Sequence, residues 1–312
     1  MRPPGRIRTD MKLALKIDVY TLRGLRDGVP ALVELLQRQG AGATFFFAFG
    51  PDHSGRHDHT LPPGETGGLR ERRGFASRCY GTLLPGPDLG RRGGDAMRHV
   101  RDAGFDTGLA SWNAVRWRRH AAAAEARWTE AAMQQGVDAY AQVFGAPPHA
   151  HAAAGWQSNV HALRMTQRLG FAYCSDGRGR TPHLPVGNAE LVRCPQFPTT
   201  LPLLDECVAQ GIDVEGLASH LLGLTAEPMA APVFALRADI EALLLPRVLD
   251  TLLTGWRAQG YTLVSLADLH AVVEPLALPR CEVALAPVAG RARPVLTQGD
   301  EFLGDVELAQ AA

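Results

Sequence analysis

The chain has 312 residues, with 32 basic against 32 acidic side chains, a formal charge of zero and 46% hydrophobic residues. That length accommodates one large α/β barrel and its core. The balanced charge leaves nothing global to steer the molecule towards nucleic acid, so no nucleic-acid partner is expected.

The opening MRPPGRIRTD has arginines but no apolar run of signal-peptide length, and no later segment approaches the ~18 apolar residues of a membrane span. A cytoplasmic protein is the simplest expectation, with residues 1–10 read as a disordered leader. Residues 13–19 form a first apolar strand. A helix follows over 30–39, with Pro30 suited to its first turn and Gly40 to its end. Residues 43–49 read as a second buried strand. Over 121–144 the spacing predicts a helix: Met133, Val137, Tyr140 and Phe144 recur as a core-facing stripe, and Gly145 with Pro147 stops it. Later strands are expected over 171–175, 232–236 and 262–265, each after a helix-like run. Strands alternating with helices indicate crossover units and a parallel sheet, closed as one irregular barrel. The five cysteines, Cys79, Cys174, Cys194, Cys207 and Cys281, are widely spaced and include no CxxC pair. This argues against a disulfide framework or a cysteine zinc site and leaves reduced, mostly packing thiols.

Six blocks occur in one order: LALKIDVYTLRGLRDGVPALVELLQRQGAGATFFFAFGPDHSGRH at 13–57, AAAGW at 152–156, YCSDGRG at 173–179, FPTTLP at 197–202, APVFALRADIE at 231–241 and GDEFLG at 299–304. In this order they resemble the bacterial 4-deoxy-4-formamido-L-arabinose-phosphoundecaprenol deformylases, a branch of the polysaccharide deacetylase family. The likeness covers nearly everything after Met11 except a diverged stretch at 58–73. It implies the family's distorted (β/α) barrel as a single domain over 11–312 with a C-terminal tail, and chemistry at the carboxyl ends of the strands. It also implies hydrolysis of a formamide on a lipid-linked amino-sugar phosphate, in the aminoarabinose modification of lipid A, with a divalent metal such as zinc.

Against that pattern the functional positions are altered. The family's first strand delivers two carboxylates two residues apart, which alternation puts on one face. Here they read Asp18, which keeps the place of the catalytic base, and Tyr20, where the metal-binding carboxylate should be. A neutral phenol is a poor ligand for a hard cation. The family's two metal-binding histidines, four residues apart, fall in GLASWNAVRW, where Trp112 and Trp117 hold the register and the ligand positions are Ala110 and Ala114. The family's proton-donating histidine falls at Arg237, which cannot give up and recover a proton. Arg237 is left either binding an anion or pairing with Asp239, Glu241 or Asp18. No metal is expected at the family position.

A relocated metal is the alternative, with His149 and His151 beside the AAAGW loop as its ligands, since a spacing of two can present both rings to one side. Arg23, Arg26 and Asp27 in the first loop, His57, Trp156, and Asp176 with Arg178 are candidates for sugar or phosphodiester binding. An Asp176–Arg178 brace of the barrel rim is the structural alternative. At 58–73 the resemblance implies an apolar, membrane-touching segment. The chain has DHTLPPGETGGLRERR there, a flexible charged loop that argues against membrane attachment but leaves a peripheral inner-membrane position open. Three functions follow: a non-catalytic relative binding a sugar phosphate or a pathway enzyme, an active deformylase with relocated ligands, and a degenerate product without ligand.

Overall fold

The computed structural model describes residues 11–56 and 75–302. The expected leader, His57 and the diverged stretch at 58–73 lie outside the described residues. In chain order the strands are β1 (Met11–Val19), β2 (Thr44–Ala48), β3 (Asp106–Ser111), β4 (Ala150–His151), β5 (Tyr173–Cys174), β6 (Leu184–Gly187), β7 (Glu190–Leu191), β8 (Val233–Arg237), β9 (Tyr261–Val264), β10 (Arg280–Ala286) and β11 (Val295–Glu301).

Seven of them form one parallel sheet in the order β5-β4-β3-β2-β1-β8, with β9 pairing the amino-terminal part of β1. The expected distorted (β/α) barrel is found as a half-barrel, in which β1 lies between β2 on one side and β8 with β9 on the other. The period of two sorts β1 into two faces. Leu13, Leu15, Ile17 and Val19 join the large core shared with the helices. Ala14 faces a smaller interior cluster with Phe46, Ala110, Ala150, Ala152, Tyr173, Phe197 and Val233, and by the same parity Lys16 and Asp18 face it too. The interior is filled by side chains, as barrel interiors are. Burying each large apolar side chain contributes roughly 1.5–3 kcal/mol.

The helix after the first strand spans Val29–Gln39 and ends where Gly40 turns left-handed at φ 57, donating its N–H back to Leu36 O and Gln37 O. Of the segment expected as a helix over 121–144, Ala126–Phe144 is helical, while Ala121–Ala123 form a short 3₁₀ turn that follows a separate helix, Ala114–His120. The cause is distant in sequence. Asn159 Nδ2 donates to Ala121 O (2.7 Å) and Ala124 O (3.1 Å) while its Oδ1 caps Ala162 N–H (2.8 Å). These bonds hold the chain in the turn between the two helices, where Ala124 N–H also bonds Ala121 O at 3.2 Å.

A second sheet, β11-β10-β6-β7, lies beside the barrel. The segment after β5 is tied to it by Arg178 N–H on Leu296 O at 2.8 Å. All five cysteines are buried and free, as expected. No helix among the described residues is long and apolar enough to cross a membrane.

Candidate functional site

The register places Asp18 beside Phe46 of β2 on one side and beside Arg237 of β8 on the other. Asp18 and Tyr20 therefore sit at the carboxyl end of the sheet. Asp18 is 6% exposed, and its Oδ1 completes no hydrogen bond. Lys16, fully buried on the same face, lies 3.9 Å from that oxygen and donates to Ser175 O at 3.0 Å. Burial lowers the Lys16 pKa, against the opposing pull of Asp18 and Asp176. Tyr20 packs on the interior cluster with its hydroxyl buried and without a partner. Burial and then the Asp18 charge push its pKa far up, so it stays a neutral phenol.

Ala110 is fully buried, and a bulge makes it the extra residue of β3: Leu109 faces Phe47, and Ser111 faces Ala48. Bulges beside active sites re-aim side chains, and here the re-aimed residue has nothing to offer a metal. Ala114 opens the Ala114–His120 helix, which Asn113 caps by accepting Arg116 N–H at 2.8 Å. One turn on, Arg118 lays its guanidinium 5.5 Å from the centre of the Tyr20 ring. One orphaned carboxylate oxygen, a neutral phenol, two alanines and nearby fixed cations do not fit a divalent ion.

Across the sheet end, Arg237 is paired. It meets Asp205 Oδ2 at 2.7 Å and Glu241 Oε1 at 4.0 Å, and its backbone N–H reaches Glu241 Oε2 at 2.7 Å. Of the alternatives raised by the sequence, pairing with Glu241 is found, and Asp205 is an unforeseen partner. Burial drives the Glu241 carboxyl up to about 7, against the Arg237 charge. Asp205 also meets Arg291 at 3.5 Å, and Glu206 meets Arg291 at 2.5 Å and Arg178 at 3.3 Å. Trp156 lies between Arg178 and Arg291, each 4.9 Å from its ring, and its Nε1 donates to Thr199 Oγ1 at 3.2 Å. It adopts φ 53 directly after Gly155 at φ 65. A left-handed tryptophan is backbone strain held by its surroundings.

The Asp176–Arg178 brace is not formed. Asp176 instead accepts from His151 Nδ1 (2.7 Å), Ala153 N–H (2.8 Å) and Gln196 Nε2 (3.2 Å), which pins the AAAGW loop. Burial would raise its pKa, yet His151 and these donors hold it below the usual range. His149 and His151 do not converge. His149 binds Asp106 (2.8 Å) at the opposite, amino-terminal end of the sheet. Among the described residues, His151, Cys174 and Asp176 are the group that could hold a metal. Each is committed: Cys174 touches Cys194 (Sγ–Sγ 3.4 Å), and burial first, then Cys194, raises its pKa far above the thiol range. Arg23, Arg26 and Asp27 flank or lie in a π-helical turn, Gly24–Gly28, and not in a loop; Arg26 and Asp27 are exposed and Arg23 half-buried. Gly28 permits that turn, because a Cβ there would stand 2.0 Å from Ala238 O. Sequence reasoning missed Lys16, Arg118, Asp205, Glu206 and Arg291. Lys16 was visible as the cation two residues before Asp18, at the same inward parity in an apolar strand, and Arg118 as the residue one turn after Ala114.

No family model matches the chain. A Shewanella sediminis protein named as a probable 4-deoxy-4-formamido-L-arabinose-phosphoundecaprenol deformylase is 31% identical over 83% of this chain and 85% of its own. A Wigglesworthia glossinidia brevipalpis protein of the same name is 26% identical over 79% of this chain and 88% of its own. Among solved structures, a Mycobacterium smegmatis protein named as a polysaccharide deacetylase superposes with TM-score 0.60 at 13% identity, over 92% of this chain and 99% of that one, a likeness of fold.

Proposed function

The chain belongs to the 4-deoxy-4-formamido-L-arabinose-phosphoundecaprenol deformylase family, and on that premise we propose that it binds a formamido-sugar phosphate or an enzyme of that pathway without hydrolysing the amide. The observation that carries this is the trio at the ligand positions: Tyr20 with a buried neutral hydroxyl, and Ala110 and Ala114 with no donor atom. A bound divalent ion lowers the pKa of water from 15.7 to about 7 and polarises the carbonyl under attack. Asp18 alone would have to activate ordinary water against a stable amide. Arg237 is held by Asp205 and cannot cycle a proton to the leaving amine. Trp156 is buried against two arginines that are paired with Asp205 and Glu206, so a sugar phosphate would have to exchange with those carboxylates to reach the arginines. The protein would work on the cytoplasmic side, at most peripheral to the inner membrane.

The test is a thermal-shift titration with a soluble formamido-arabinose phosphate, followed by measurement of formate in the same samples. A saturable rise in melting temperature without formate release is expected. Chelator-sensitive formate release would sink the non-hydrolytic reading.

One observation favours a second reading, an active hydrolase with relocated ligands: the buried group His151, Cys174 and Asp176. Its sulfur and imidazole donors suit zinc. On this reading, Cys174→Ser abolishes both metal content and activity, and unchanged activity removes it.

A further inference from the structure

Arg118 reaches this end of the sheet from a different element than the charged residues around Trp156. It leaves the Ala114–His120 helix one turn after Ala114, so both side chains share a helical face. Its Nε is buried, and its Cδ runs only 2.7 Å from where a Cβ on Gly155 would stand. Gly155 is thus required twice, by its φ of 65 and by the arginine threading past it. At the end of this path the guanidinium covers the Tyr20 ring at 5.5 Å. One side chain is therefore rooted beside one abandoned ligand position and seated on another, at the end of the sheet where Asp18 is buried.

We infer that Arg118 takes the place of the divalent ion: a fixed cation that supplies the positive charge this end of the sheet would otherwise draw from a metal, and that keeps a metal out even where ligands are put back. The inference rests on the reading above that the metal route is lost. A guanidinium stays charged at every relevant pH and cannot be chelated away. It also has no vacant orbital for a carbonyl oxygen, so it replaces the ion's charge without its Lewis acidity. A second cation close by, among side chains buried away from water, meets strong like-charge repulsion.

The experiment compares the restored chain Tyr20→Asp/Ala110→His/Ala114→His with the same chain also carrying Arg118→Gln. Zinc affinity is measured by competition with a chromogenic chelator, and the native chain serves as the blank for any binding through Cys174. The Arg118→Gln form is expected to bind zinc at least ~100-fold more tightly, the order that like-charge repulsion at close range supplies. Equal affinities, with both variants binding or neither, would overturn the inference. A second measurement needs no restored ligands: a melting-temperature cycle between Arg118→Gln and Asp18→Asn. If the guanidinium compensates Asp18, the double variant melts above Arg118→Gln alone, and strict additivity counts against it. Formate release by the native chain would instead remove the non-hydrolytic reading and leave both comparisons standing as measured.

Discussion

The two ends of the barrel solve the burial of polar groups in opposite ways. At the amino-terminal end, Asp106 accepts from Thr44 Oγ1 (2.6 Å), Tyr173 and His149 (2.8 Å), and Thr44 in turn accepts Leu266 N–H (2.9 Å). None of these side-chain atoms lacks a partner. At the carboxyl-terminal end, Asp18 Oδ1, Tyr20 Oη and Ser175 Oγ are buried without hydrogen bonds, Trp156 is left-handed, and Glu241 carries a strongly raised pKa. Unsatisfied atoms and strain gather where function does. This face is not ordinary core: Lys16, Arg118 and Arg237 are fixed cations held around its buried side chains.

Cutting the charged network tests that difference most forcefully. Asp205→Ala strips Arg237 and Arg291 of a buried partner and is expected to cost about 3–5 kcal/mol in urea unfolding, as breaking buried pairs does. A loss under ~1 kcal/mol would mean that the network is wet and open. Next comes Glu241→Gln. The folded-state pKa of Glu241 is raised to about 7 from 4.5, so the native state holds its proton longer than the unfolded chain. Stability therefore falls as pH rises from 4.5 through 7, by up to about 3 kcal/mol. The variant should flatten that slope in denaturation series across pH 4–8, and an unchanged slope would assign the titration elsewhere.

At the other end, Asp106→Asn removes the acceptor that raises the His149 pKa. This stabilisation is full below the unfolded histidine value and fades as pH rises through the folded one. Because His149 is half exposed, water screens the pair, and the substitution should cost more near pH 5 than at pH 9 by no more than about 1 kcal/mol, with sugar-phosphate binding untouched. A binding defect would erase the division between the ends. The smallest effect is expected from Tyr20→Phe. Its hydroxyl completes no hydrogen bond of ordinary geometry, though it lies near Asp18, so its removal should leave stability within about 1 kcal/mol or raise it. A loss above ~2 kcal/mol would reveal a partner for that oxygen.

What depends on local pattern was legible in the sequence. Alternation in 13–19 gave β1 and its inward Asp18, and Gly40 ended the first helix at the stated residue. Trp112 and Trp117 set the register on which Ala110 and Ala114 are proposed to stand at ligand positions. What depends on distant partners was not. Asn159 holds the turn between two helices from 35 residues beyond Ala124. Asp205 and Glu206 find Arg291 across 86 and 85 residues. Asp176 turns to His151 and Gln196 and not to nearby Arg178. Short-range spacing shows which face a side chain takes, but in a buried charge network the partner is chosen by which opposite charges the fold leaves in the same dry space.

The central claim, that the carboxyl-terminal end holds no divalent ion beside Asp18, is tested most directly by an anomalous difference map at the zinc edge from crystals of the native chain grown with zinc. The account predicts no peak within bonding distance of Asp18 or Tyr20, with the Arg118 guanidinium over the phenol. A peak ligated by Asp18, with Arg118 displaced, would contradict it.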